Sequence, residues 1–129
     1  MEKITIHATE RSPAIDFDFA SNTYLIKGES YPEDVTEFFG PIMEKLDGHL
    51  RGQSGENISF VFELIYFNSS TAKVLMGLFD MLEEVADEGN EVVVTWCYEE
   101  DDDNMQELGE EFGEDLVKAT FILKELPLL

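Results

Sequence analysis

The stretch "NISFVFELIYF" at 57–67 constrains the fold more than any other part of the chain. It is apolar at nearly every position, which suits a central strand covered on both faces. A second such run, "EVVVTWCY", follows at 91–98. Between them lies "TAKVLMGLFDMLEEVADEGN", where Leu75, Leu78, Phe79, Leu82 and Ala86 recur at helical spacing. Gly89-Asn90 ends that helix. Two buried strands joined by a helix form a strand–helix–strand unit, and the rest of the chain is organised around it.

Upstream, "AIDFDFA" alternates, with Ile15, Phe17 and Phe19 on one side and Asp16 and Asp18 on the other. That is a half-buried strand. Ser21-Asn22 signals a turn, and "TYLIKG" completes a β-hairpin. "SYPEDVTEFFGPIMEKLDGHLRG" reads as the first helix. Ser30 and Glu33 fit a capping box, with Pro32 in the first turn. Val35, Phe38, Phe39, Ile42, Met43, Leu46 and Leu50 form its apolar face, and Pro41 is expected to kink it near Gly40. Near the C-terminus, "DDDNMQELGEEF" is a short acidic helix and "ATFILKEL" a last strand. The order is β-β-α-β-α-β-α-β, an α/β fold with a mixed sheet. No repeat or linker interrupts it, so residues 1–129 read as a single domain.

Charge excludes whole classes of partner. With 29 acidic against 8 basic residues, the formal net charge is −21. Such a surface repels nucleic acid and anionic membranes, so neither is expected as a partner. No apolar run approaches membrane-spanning length, and "MEKITIHATERS" lacks the apolar centre of a signal peptide, so a cytoplasmic location is expected. Cys97 is the only cysteine and reads as a buried thiol.

Three stretches have chemical potential. The acidic run "EEDDDN" at 99–104 could hold a divalent cation or small ligand, but it lacks the glycine and spacing of a calcium loop. Acids there also suit a helix N-terminus. No G-x-S-x-G elbow, phosphate loop or dinucleotide fingerprint is present. A hydrolase would need His7 or His49 beside a hydroxyl nucleophile. No catalytic residue, metal or cofactor is expected.

The third stretch is "YFNSSTAK" at 66–73. One of Asn68, Ser69 or Ser70 must cap the following helix. A single cap does not account for three hydroxyl residues in a row. The rest stand at the positive end of a helix, where a phosphate is accommodated and adds about −1.5 to −2 charges. Val74, Met81 and Val85 lie on one flank of that helix, either as broader core or as a docking strip beside the corner.

"SYPEDVTEFFGPIMEKL", "YFNSSTAKVLMGLFDMLEE" and "ELGEEFGEDL", in this order and spacing, resemble the SiaC family of bacterial regulatory phosphoproteins. The first two blocks carry most of the specificity. The resemblance implies a STAS-like α/β fold, similar to anti-sigma factor antagonists. It implies a phosphoacceptor directly after the asparagine of the second block, which is Ser69 in this chain, with Ser70 and Thr71 as alternatives. It also implies a non-enzymatic switch, phosphorylated by a dedicated protein kinase and reset by a PPM-type phosphatase. The unphosphorylated form is expected to activate a diguanylate cyclase, raising cyclic di-GMP and favouring biofilm. Tyr31, Asn68, Ser70, Lys73, Val74 and Met81 are the expected partner-binding residues.

Overall fold

Hydrogen-bonded pairing gathers the strands into one sheet in simple chain order. The computed structural model describes residues 3–127. Its elements are β1 (Ile4–Ile6), β2 (Ala14–Asp18), β3 (Thr23–Ser30), α1 (Val35–Leu50), β4 (Asn57–Phe67), α2 (Ser69–Asp87), β5 (Glu91–Glu99), α3 (Asp103–Gly113) and β6 (Thr120–Leu126). The sheet runs β1-β2-β3-β4-β5-β6. The first two pairings are antiparallel and the remaining three parallel. The mixed α/β expectation therefore stands, with one strand more than expected. β1 is only three residues long, too short for alternation to reveal it.

Each parallel crossover steps in the same direction across the sheet. Right-handed crossovers then place α1, α2 and α3 on the same face. Burial follows that geometry. Along β4, Ile58, Phe60, Phe62 and Leu64 are buried, whereas Ser59, Val61 and Glu63 between them are only half-buried. The expectation of cover on both faces is thus corrected. Helices pack one face, and the other keeps partial contact with water, with Ile122 of β6 44% exposed there.

The core joins Phe17, Tyr24, Ile26, Phe60, Phe62 and Trp96 of the sheet to Phe39, Leu46, Leu75 and Leu82 of the helices. Cys97 is a free, buried thiol. Burial, with the Glu63 carboxylate adding to it, pushes that thiol's pKa up, so it stays protonated.

Two helix starts differ from expectation. Ser30 does not cap α1, because β3 continues to Ser30, which pairs with Phe67 of β4. The cap is Asp34, whose Oδ1 accepts from the Glu37 N–H at 3.0 Å. α1 continues through Pro41 as one helix. The acidic run ends β5 and starts α3: Asp102 Oδ1 accepts from the Met105 N–H at 3.0 Å.

α3 packs close against the sheet at two glycines. A Cβ at Gly109 would stand 2.4 Å from the Trp96 ring, and one at Gly113 2.4 Å from the Phe121 ring. The two glycines of "ELGEEFGEDL" are what allow this approach. Trp96 also donates its indole N–H to the Met105 carbonyl at 3.1 Å and stacks on Phe112 at 5.4 Å.

Candidate functional site

The corner between β4 and α2 is assembled by a strand irregularity. Gly28 pairs with Leu64 but Glu29 pairs with Tyr66, so Ile65 is an extra residue in β4. Such a bulge re-aims the side chains that follow it. Leu64 is buried in the core, and Phe67, three residues later, again packs inward against Trp96 and Phe112. Ile65 and Tyr66 are left outside, 54% and 49% exposed. Tyr31, from the link after β3, meets Tyr66 edge-on at 5.8 Å.

The four polar residues that follow have separate fates. Asn68 is the N-cap: its side-chain oxygen accepts from the Thr71 N–H at 3.0 Å. Thr71 is fully buried. Its hydroxyl donates to the Ser30 carbonyl at 3.1 Å and lies 2.9 Å from the Ser30 hydroxyl, itself fully buried. The Asn68 N–H donates to the same carbonyl at 3.1 Å. These bonds tie the start of α2 to the end of β3. Ser69 and Ser70 remain exposed, and no described residue hydrogen-bonds to either hydroxyl. The helical rotation of about 100° per residue explains the split. Thr71 sits one turn before core residue Leu75, so it shares the buried stripe, and that spacing was visible in the sequence.

The local charge is also distinctive. α1 and α3 carry Glu37 and Asp103 in their first turns, whereas α2 has no acid there. Its positive end is therefore uncompensated by a nearby carboxylate of its own first turn. Lys73 is exposed one turn along from Ser69. An anion at position 69 meets a helix terminus and a nearby lysine.

Of the expected partner residues, Tyr31, Asn68, Ser70 and Lys73 gather at this corner. Val74 and Met81 are half-buried against the core, and Val85 is wholly buried, so that flank is mainly core contact. The exposed apolar side chains near the corner are instead Ile65 and Tyr66, while Met76, 58% exposed, lies further along α2. The sequence signal for the first two was faint, because the bulge that turns them outward has no motif.

Of the two histidines, His49 stands away from the corner. His49 Nε2 lies 3.1 Å from the Asn22 side-chain oxygen, beside the start of β3. Ser69 follows the far end of the neighbouring parallel strand, roughly 25 Å away at strand rise. His7 is exposed and hydrogen-bonds to no described residue. Among the described residues, no three His, Cys, Asp or Glu side chains cluster so as to hold a metal ion. No described helix is long and apolar enough to cross a membrane.

Comparison with known proteins extends over almost the whole chain. A family model for SiaC family regulatory phosphoproteins matches residues 6–126. An uncharacterised protein of Pseudomonas aeruginosa is 32% identical over 115 residues, 89% of this chain and 90% of that protein. The crystal structure of apo-SiaC from P. aeruginosa superposes with a TM-score of 0.86 at 32% identity, covering 96% of this chain and 99% of its own. SiaC in complex with the diguanylate cyclase SiaD, whose activator it is, superposes with a TM-score of 0.89 at 30% identity, covering 95% and 99%.

Proposed function

The chain belongs to the SiaC family of regulatory phosphoproteins, and from that premise we propose that it is a non-enzymatic switch set by phosphorylation of Ser69. The observation that carries this reading is the division of labour at the corner. Asn68 and Thr71 are consumed by the fold, while Ser69 stands exposed and unbonded at a helix N-terminus without a first-turn acid. A kinase can reach Ser69 without opening the domain. Thr71 would first have to leave a buried site and break its bonds to Ser30. Ser70 is the alternative acceptor, one residue further into the helix.

The unphosphorylated form docks on a diguanylate cyclase and activates it. The complex of the relative SiaC with SiaD supports this partner class. The exposed Ile65 and Tyr66, with Tyr31, Ser70 and Lys73, offer an apolar docking surface around the acceptor. A dianionic phosphate in the middle of that surface adds charge that must be desolvated on docking, so it opposes binding. A protein kinase and a PPM-type phosphatase set and reset the switch.

The test is a binding and activation assay with the diguanylate cyclase of the same host. Ser69→Ala should bind and activate like the unmodified protein, and Ser69→Asp should lose about ten-fold or more in affinity, about 1.4 kcal/mol. Ser70→Asp should lose less. Equal binding by Ser69→Ala and Ser69→Asp would end the proposal. Peptide mass spectrometry on protein from the host should find the phosphate on the peptide carrying Ser69.

A further inference from the structure

A second surface lies along α2, away from the corner. α2 and α3 flank a groove of about 640 Å³ lined by Met76, Phe79, Glu83, Glu111, Phe112 and Leu116, among others. Its floor is aromatic: Phe79 and Phe112 pack with ring centroids 5.3 Å apart. Leu116 is half-buried in the lining, and Met76 is exposed there.

The rim is acidic throughout. Asp80, Glu83, Glu84, Glu111 and Asp115 all line the groove, and no lysine or arginine does so among the described residues. Two of these carboxylates are already engaged. Glu83 accepts from the Val117, Lys118 and Ala119 N–H groups at 2.8–3.0 Å, and Glu84 pairs with Arg51 at 2.7 Å. Asp80, Glu111 and Asp115 are exposed, and their side chains bond to no described residue. They are uncompensated charge beside an apolar trough.

We infer that this groove docks a basic amphipathic helix of a partner protein. An apolar trough between two helices accepts the apolar stripe of a third, read at i, i+3, i+4 and i+7. Methionine on the rim adapts to different side chains. Three free carboxylates select lysine and arginine on the flanks of that stripe and reject acidic segments. The inference is independent of the phosphorylation of Ser69. Ser69 lies on the same outward side of α2, seven residues and about 10 Å before Met76. A phosphate there adds negative charge near one end of the groove, so it does not expel a basic helix. Phosphorylation opposes docking at the corner and leaves docking in the groove intact.

The probe is a fluorescein-labelled Leu/Lys amphipathic peptide of about 14 residues, ~20 Å long as a helix. Its binding to the full chain is followed by anisotropy at several salt concentrations, with the Met76 methyl signal followed by NMR. Glu111→Lys with Asp115→Lys should weaken binding about ten-fold or more. Glu10→Lys with Glu44→Lys changes the charge equally at exposed positions on the β1 and α1 side of the fold, and should weaken it less than about two-fold. Met76→Ser should weaken binding with no charge change, and Ser69→Asp should not weaken it. Equal losses from both lysine pairs, or a silent Met76 methyl, would show attraction to general acidity and overturn the inference. A dimer in sedimentation that Met76→Ser dissolves would assign the groove to a second copy and overturn it as well.

Discussion

α2 and α3 reach the same sheet face by opposite means. α2 is fastened at its start by side chains: the Asn68 cap, and the Thr71 hydroxyl held by Ser30. α3 is fastened by the lack of side chains, with Gly109 and Gly113 against Trp96 and Phe121. A hydrogen-bonded anchor uses two residues of a turn and releases the two between them. A close-packed anchor engages the whole helix face and leaves no position free to change. The corner can therefore carry a modification that the α3 contact cannot.

The sharpest way to break this contrast is to add one methyl group to α3. Gly109→Ala would put a Cβ inside contact distance of the buried Trp96 ring, and overpacking of this kind costs about 1–3 kcal/mol. Denaturant melts should show the loss, and a neutral result would mean that α3 is not seated as tightly as its glycines imply. Near-UV circular dichroism of Trp96 should change in the same variant.

A smaller effect is expected at the other anchor. Thr71→Val keeps the shape but removes the donor to the Ser30 carbonyl, at a cost of about 1–2 kcal/mol. Combined with Ser30→Ala, the total loss should fall short of the two single losses added, because both act on one bonded pair. Strict additivity in the double-mutant cycle would remove the Ser30–Thr71 contact as the anchor.

The smallest effect concerns Glu83, which links α2 to the loop after α3. Burial alone raises its carboxyl pKa, but the N–H groups of Ala119, Lys118 and Val117, with Lys118 nearby, outweigh that and hold it below the usual glutamate value. A depressed folded pKa means the contribution is complete above the unfolded pKa, about 4.3, and disappears as pH falls through the folded value. Glu83→Gln should therefore cost about 1 kcal/mol at neutral pH and flatten the stability profile below about pH 4. An unchanged acid limb would show that the carboxylate does not hold the loop.

How much of this could be read in advance depends on the range of the interaction involved. Helical and strand periodicities are local, so the stripe Leu75, Leu78, Phe79, Leu82 and Ala86 and the alternation through Ile15 and Phe17 were plain in the sequence, and all are buried. Ser30 misled because S-x-x-E is a local signal, overridden by pairing of Ser30 with Phe67 far along the chain. Cover on one face or two was not legible in β4, because apolar residues occupy both parities; crossover handedness decides it. Ser69, Asn68 and Tyr31 were singled out, and they meet at one corner. Ile65, Tyr66 and Met76 were missed, since exposure at a bulge or on a groove rim is a product of assembly.

The anchoring of α2 by Asn68 and Thr71 also has an evolutionary consequence. Folding imposes almost no demand on the two positions between them, where exchanges away from structural contacts change stability by about 0.5 kcal/mol or less. Serine and threonine can replace one another at 69 without disturbing the helix start, and the chemistry presented there can drift at the pace of its enzymes and partners. Selection on the corner acts on the signal, while selection on the fold acts one residue to either side of the pair.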